Sequence, residues 1–406
     1  MPKKVLLLGA GMVGRAMACD LARTHQITLA DISPDALAKA KAALITDGQV
    51  KTAIKATEQA KSASMQTLSL DLRDQKALQS LLDQSKPPFD LVVCALPGHL
   101  GFQTLESVIG CGVDIVDISF LPENALDLNS LARQHNVSAV VDCGVAPGMS
   151  NMLLGHFNEK MKVASFECMV GGLPKTRKWP FNYKAPFSPS DVIEEYMRPA
   201  RLVENGREVT REALSDVELV HFSDIGTLEA FNTDGLRTLI HTMPHIPDMK
   251  EKTLRYPGHA EYIRVFRECG FFDEMKLRLD DNTLVSPREV TSKLLFKSWM
   301  LEDEEEEMTV MRVAVRGGNK KVVVTLHDRY CHETRISSMA RTTGYTATAV
   351  ASLLLSGHIK EKGVLPPETI GREDSHFDFI ISYLQERGVF YQFSESLEPP
   401  EPGTEF

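Results

Sequence analysis

Gly9, Gly11 and Gly14 in the stretch GAGMVG have the spacing G-x-G-x-x-G, and Asp31 closes the stretch TLAD about 20 residues further on. Each glycine has a physical use at such a spacing. The first permits a tight turn, the second lets a pyrophosphate approach the backbone, and the third lets a helix lie close to a sheet. Ala10, Met12 and Val13 fill the loop, and a helix starting there presents unpaired N–H groups and partial positive charge to the phosphates. A carboxylate at Asp31, with Ile32 beside it, accepts the ribose hydroxyls of an adenosine and repels a 2′-phosphate. NAD is therefore expected over NADP. FAD and S-adenosylmethionine proteins use related turns, and a strand-to-helix turn without a ligand is the bland alternative. The motif thus points to a nucleotide before it points to hydride transfer.

A second group of reactive types ends the later apolar runs. LVVCALPGHLG places Ala95, Leu96 and Pro97, then His99, after one run; VDISF brings Asp117 and Ser119, and VDCGVAPGMSN brings Asp142 and Cys143. Ligands lie at the carboxyl ends of strands in a doubly wound sheet, so these are candidate acid–base groups. Asp142 serves equally as a cap for a helix starting near Gly148, Cys143 as small packing, and His99 as a loop hydrogen-bonder. Neither H-E-x-x-H, G-x-x-x-x-G-K-[ST] nor G-x-S-x-G occurs. The seven cysteines are scattered, with no C-x-x-C pair. They read as reduced thiols in a cytoplasmic protein, with no disulfide frame and no metal site.

The elements that must position these residues follow from hydrophobic pattern. VLLLG, ITLAD, MQTLSL, FDLVVCAL, VDIVDIS and SAVVDCG read as strands, separated by helical stretches such as MVGRAMACDLART and FQTLESVIGCG. Six strands in alternation with helices, apolar on both faces, predict a parallel doubly wound Rossmann sheet. The polar stretch 46–63 reads as an extended or second helix before the third strand. Beyond Pro147 the alternation stops. Strands SFECMVGGLP, VELVHF and TLRY and hairpins ARLVENGREVT and MTVMRVAVRGGNKKVVVTLHDRY predict an α+β domain with an antiparallel or mixed sheet. Helical patterns return at TTGYTATAVASLLLSG and FDFIISYLQERGV. SESLEPPEPGTEF is rich in proline and glutamate and reads as disordered. The acidic run 302–307 reads as a solvated loop beside a hairpin.

With 406 residues, two domains are expected, and 43% apolar with 25% charged residues is the balance of a soluble globular protein. A formal charge of −10 leaves no basic surplus for nucleic acid. No apolar run approaches the ~20 residues that cross a bilayer. The run after the N-terminal lysines ends at the glycine motif and not at a cleavage site, so neither a membrane anchor nor export is expected.

Six ordered blocks, GAGMVGRAMACDLA, DCGVAPGMSN, VGGLPKTRKWPFNYK, TLEAFNTDGLRTL, KTLRYPGHAEYIRVFRECGFF and ARTTGYTATAVA, resemble the saccharopine dehydrogenase-like family. PFNYK, EAFNTDGLRTL and LRYPGHAE are most similar to its lysine 6-dehydrogenase branch. The resemblance implies oxidation of a C–N bond by NAD: L-lysine losing its ε-amino group, or saccharopine cleaved to glutamate. A catalytically silent NAD- or lysine-sensing protein is the non-enzymatic alternative. The family's architecture further implies that residues about 340–395 return to a nucleotide domain of residues 1–145, leaving 146–339 as the substrate domain and 396–406 as a tail. Within that frame Arg255 and Arg237 are candidates for the substrate carboxylate. Tyr183, Lys184, Gly172 and Thr343 are candidates to line the amino-acid site, and Lys175, Arg177 and Lys178 are the extra cations saccharopine would want. A homodimer or homotetramer is expected.

Overall fold

The computed structural model describes residues 1–46, 64–84 and 89–397. Of the expected helix in 46–63, everything from 47 onward lies outside the described residues, as does the tail from 398. The chain divides into two compact units, Met1–Lys162 with Tyr330–Phe390, and Val163–Arg329 with the segment from Tyr391.

In the first unit, β1 (Lys4–Leu8), β2 (Gln26–Asp31), β3 (Ser64–Ser69), β4 (Leu91–Cys94), β5 (Ile115–Asp117) and β6 (Ser138–Val140) alternate with α1 (Met12–Leu21), α2 (Pro34–Thr46), α3 (Gln75–Gln84), α4 (Gly98–Gly110) and α5 (Asn129–Gln134). All pairings are parallel, in the order β3-β2-β1-β4-β5-β6-β17, with β17 (Gly363–Leu365) as an added edge. Every residue of β4, β5 and β6 is buried, as a sheet covered on both faces requires. Strand order reverses between β1 and β4, the position at which ligands lie outside the carboxyl ends of doubly wound sheets. α4 begins one residue after Pro97, so Gly98 and His99 belong to its first turn and not to a separate loop.

The rest of the unit is α6 (Met149–Lys160), α11 (Ser338–Leu355), α12 (Pro367–Arg372) and α13 (Asp374–Glu386). Buried Asp20 on α1 ties the returning helices down. It accepts hydrogen bonds from Thr348 Oγ1 at 2.6 Å, Tyr383 Oη at 2.7 Å and Arg387 Nε at 2.7 Å. α6 falls in this unit, where Asn151 Nδ2 donates to the buried Glu368 Oε2 on α12 at 3.2 Å. The unit's first segment therefore runs to Lys162 and not to 145.

The second unit is a mixed sheet of β7 (Ser165–Pro174), β8 (Ala200–Glu204), β9 (Arg207–Arg211), β10 (Glu218–Phe222), β11 (Gly226–Asn232), β12 (Asp248–Arg255), β15 (Glu307–Gly317), β16 (Lys320–Arg329) and β18 (Tyr391–Leu397). A small ribbon pairs β13 (Leu277–Arg278) with β14 (Leu284–Val285), and among the described residues the unit also holds the helices α7 (Pro189–Met197), α8 (Leu239–Thr242), α9 (His259–Glu268) and α10 (Pro287–Trp299). The sheet is antiparallel except where β12 runs parallel to β7. Asn205 (φ 51°) and Gly206 (φ 74°) make the expected two-residue turn between β8 and β9. β18 corrects the reading of residues 394–397 as disordered: Leu326 through Lys320 of β16 pair with Tyr391 through Leu397. Only Tyr391 of that strand is buried, so its sequence lacks the alternation that marks a half-buried strand.

Candidate functional site

Gly9 follows β1 with φ 98°, and a Cβ there would lie 2.4 Å from the Ala95 carbonyl oxygen at the end of β4. A Cβ on Gly14 would lie 2.0 Å from the Gly9 oxygen. Both positions are closed to any side chain by the backbone itself. Gly11 differs: a Cβ there meets nothing within 4 Å. Its smallness answers no protein contact, which is the condition of a residue over which a pyrophosphate must pass. Asp31 accepts the Ala10 N–H at 2.7 Å through Oδ2 and the Ser33 N–H at 2.7 Å through Oδ1. Each oxygen keeps lone-pair capacity for a ribose hydroxyl. Half-buried Met12 and Val13 open α1, Leu96 and Pro97 lead into α4, and Ile32 is 53% exposed beside the acid. These residues fit an adenine dinucleotide.

Further along the same carboxyl edge, Asp117 is fully buried. Its Oδ1 accepts Ser119 Oγ–H at 2.7 Å, while Oδ2 has no hydrogen bond of normal geometry among the described residues. Burial pushes its carboxyl up to about 7; hydrogen bonds from Ser119 and Cys94 oppose the shift and the charge of Asp142 adds to it. Asp142 is buried with φ 50°, a left-handed conformation that Asp tolerates better than most residues. At the start of α6 the Gly148 N–H donates to Asn151 Oδ1 at 3.2 Å. Burial, with Asp117 and Asp142 near, pushes the Cys143 thiol far up, so it is a neutral donor and not a thiolate base. His99 is exposed. Thr343 lies in this unit: a Cβ on Gly144 would come within 3.3 Å of its methyl.

In the second unit a cluster forms where β12 ends and α9 begins. Arg255 is 3% exposed. It donates from Nε to Tyr196 Oη at 3.0 Å, from Nη1 to the Leu254 carbonyl at 2.9 Å and from Nη2 to Glu195 Oε2 at 3.1 Å. Its guanidinium sits 4.5 Å from the centre of the Tyr183 ring. His259 Nδ1 donates to the Phe181 carbonyl at 3.0 Å, which leaves Nε2 to accept the Tyr196 hydroxyl at 2.9 Å. Burial, reinforced by the Arg255 charge, pushes this imidazole down to about 3, so the ring is neutral. Glu195 also accepts from Thr253 Oγ1. Glu229 on β11 receives the Gly258 and Ala260 amides at 2.8 and 2.6 Å, which seats the turn before α9.

Sequence reasoning singled out Arg255 and Tyr183 but missed Glu195, Tyr196 and His259. Their signal was present in PSDVIEEYM and LRYPGHAE, where it reads as ordinary helix composition. Gly172 lies mid-strand in β7, opposite Thr309. Arg237 is buried with φ 54°; its charge acts on half-buried Arg198, as do those of Asp234 and Arg201. The lysines are engaged elsewhere. Lys184 donates to the Met300 carbonyl at 2.8 Å and pairs with Glu305 at 3.3 Å; Lys178 and Lys175 pair with Glu305 at 3.1 Å and Glu306 at 2.7 Å. Arg177 stacks 3.9 Å over the Tyr256 ring. Within the acidic run, Glu305 and Glu306 are counter-charges of the basic loop, while residues 302–304 are exposed as expected of a solvated loop.

A doubly wound parallel sheet with this glycine loop and strand-end carboxylate defines a dinucleotide-binding protein. The chain belongs to the saccharopine dehydrogenase family: residues 5–140 match the Saccharopine dehydrogenase NADP binding domain and residues 144–389 the Saccharopine dehydrogenase C-terminal domain. It is 23% identical to the mitochondrial alpha-aminoadipic semialdehyde synthase of Bos taurus over 98% of this chain and 48% of that protein. It is 24% identical to saccharopine dehydrogenase [NADP(+), L-glutamate-forming] of Schizosaccharomyces pombe over 51% of this chain and 48% of that protein. The chain spans about half the length of these curated relatives. In fold it is similar to apo saccharopine dehydrogenase (L-Glu forming) from Saccharomyces cerevisiae, with a TM-score of 0.71 at 20% identity over 97% of this chain and all of that one. No helix among the described residues is long and apolar enough to cross a membrane.

Proposed function

We propose that the protein is an NAD-dependent oxidoreductase that deaminates L-lysine at its ε-amino group: hydride passes from the ε-carbon to NAD, and water hydrolyses the resulting iminium to give 2-aminoadipate 6-semialdehyde, ammonia, NADH and a proton. The observation that carries lysine over saccharopine is the engagement of Lys175, Lys178 and Lys184 by Glu305 and Glu306. Saccharopine brings a glutamate moiety with two more carboxylates, and the lysines that would have met them already face Glu305 and Glu306. The matched nucleotide domain is named for NADP, but the Asp31 carboxylate supports NAD. A homo-oligomeric cytoplasmic enzyme belongs to the same reading, supported by the exposed Tyr262 and Val265 on α9 and Val290 and Leu294 on α10.

The bound nucleotide supplies the hydride acceptor. The chain's own work is to hold it, to admit the amine uncharged and to handle protons. An ε-ammonium with a pKa near 10.4 costs about 4 to 5 kcal/mol to present as the neutral amine at pH 7. Asp117 is the candidate whose carboxyl titrates near neutrality, so it is matched to taking up and returning a proton there. Asp142 and Cys143 hold charge and a neutral donor beside it.

Initial rates of the purified protein with NAD test the reading. Turnover of L-lysine with little or none of saccharopine supports it, and the opposite preference overturns it. The saccharopine reading keeps one observation in its favour: Arg198 feels the charges of Arg237, Arg201 and buried Asp234, which Arg201 grips at 2.8 Å. NAD binding without turnover of any amine would instead support a sensing protein.

A further inference from the structure

We propose that the segment from Tyr262 to Met300, carried by α9, the β13–β14 ribbon and α10, is a face by which one copy of this chain pairs with another. The proposal rests on the reading of the protein as a homo-oligomer and adds which surface does the pairing.

Both helices have two apolar stripes where a surface helix needs one. Ile263 and Phe266 on α9 and Leu295 and Trp299 on α10 turn inward into one core. Tyr262, Val265 and Leu294 each precede one of these by a single residue, about 100° round the helix, and with Val290 they are 42 to 66% exposed. Tyr262 and Val265 are three apart and Val290 and Leu294 four apart, so each pair forms a second stripe. That stripe has no use in the core of the unit.

The ribbon between the helices is apolar in the same way. Its strands are two residues long, and a two-stranded hairpin by itself is marginal in water. Leu277 and Leu279, alternate residues that share a face, are 58% and 49% exposed. The Arg288 N–H donates to the Asp273 carbonyl at 3.1 Å, which joins the stretch after α9 to the first turn of α10. Helices and ribbon thus form one tied element, and a layer over its leucines is what the ribbon lacks.

Area and charge identify the occupant. Ten of the nineteen large apolar side chains exposed among the described residues fall in this segment. At about half exposure, and roughly 150 to 200 Å² for such a side chain when bare, they offer on the order of 1,000 Å². A monomer's largest apolar patch is seldom more than about 300 to 600 Å², and a stable pair takes about 800 Å² from each partner. Between His259 and Met300 lie seven acidic and seven basic side chains, whereas the whole chain carries −10. A two-fold axis sets one patch against itself, so the patch must be self-complementary. Balanced charges around an apolar centre meet that demand. A strongly charged partner protein would want a net charge of opposite sign here, and a membrane surface a basic excess; the segment has neither.

Sedimentation velocity of the full chain, over about a hundredfold range of concentration around micromolar, tests the face independently of activity. The wild type should be a dimer or tetramer. Val265→Asp combined with Leu294→Asp sets charges against the partner's apolar stripe, and should raise the dissociation constant ~100-fold or more or cut a tetramer to a dimer. Phe393→Asp, on exposed strand β18, should leave association as it was. Should circular dichroism show the aspartate pair unfolded, Val290→Thr with Leu294→Gln probes the same stripe more gently and should raise the constant about 10-fold. A wild type that associates but is indifferent to the stripe variants overturns this face and leaves the homo-oligomer standing. A wild type that is monomeric throughout overturns both, and co-flotation of that monomer with phosphatidylcholine vesicles would make the face a membrane surface instead. Lysine oxidation is read in a separate assay, so its failure leaves the face standing.

Discussion

Asp31→Ser separates the proposed cofactor choice from every other feature of the nucleotide unit. In the wild type, the carboxylate lies where an adenosine ribose is expected and already holds the Ala10 and Ser33 amides at 2.7 Å each. Removing the charged acceptor deprives the ribose of a hydrogen bond worth about 1.5 to 3 kcal/mol. It also removes a repulsion that opposes a 2′-phosphate. At ~4 Å and an effective dielectric of 20 that repulsion is about 4 kcal/mol per unit charge. Partial exposure and salt reduce it to about 1 kcal/mol. The sum, about 3 kcal/mol, corresponds to a shift of roughly a hundredfold in NAD-over-NADP selectivity, since 1.4 kcal/mol is tenfold. Serine is the sharper choice over asparagine because its short side chain also frees the Ala10 and Ser33 N–H groups to donate to the 2′-phosphate. Initial rates at fixed amino acid, with NAD and NADP varied in turn, give both kcat/KM values. A selectivity ratio unchanged by Asp31→Ser would refute the placement of this carboxylate on the ribose.

Three other outcomes are expected. Gly11→Ala should leave the thermal midpoint within a degree or two while weakening NAD binding, whereas Gly14→Ala, whose Cβ would meet the Gly9 oxygen at 2.0 Å, should lose about 1 to 3 kcal/mol of stability; paired melting and nucleotide titration check both. Asp117 has a folded pKa of about 7, raised from an ordinary 3.8, so the stability it contributes is present below pH 4 and is lost as pH rises to 7. Asp117→Asn should therefore be more stable than the wild type at pH 8 by up to about 4 kcal/mol, lose that advantage at pH 4, and abolish any limb near pH 7 in kcat/KM; denaturant melts and a rate profile across pH read these. Finally, the Lys175 and Lys178 side chains are each 63% exposed in their ion pairs, so the double change to Gln should cost under about 1 kcal/mol of stability. It should also leave the KM for lysine within twofold; a large rise would return both lysines to the substrate site.

The nucleotide unit was legible where local rules act alone. Strand, glycine loop, helix and carboxylate follow one another within 31 residues, and the alternation of apolar runs fixed the first six strands of the sheet. Asn205-Gly206 made its hairpin for the same local reason. What escaped depends on distant partners. β17 is three residues long and exists through pairing with β6, more than 200 residues earlier in the chain. β18 is polar and is a strand only because β16 offers it an edge. β12 was expected in an antiparallel or mixed sheet, and nothing in TLRY reveals that it is the strand that runs parallel to β7. The same applies to charge. Lys184 and Arg255 look alike in sequence as free cations, but Glu305 engages the first and Glu195 the second, over separations no local pattern encodes.

The most direct test of the account is product analysis after turnover of L-lysine with NAD by the purified protein. The account predicts one ammonia released for each NADH formed, with no glutamate required or produced. Formation of NADH from saccharopine together with equimolar glutamate, and none from lysine, would contradict it.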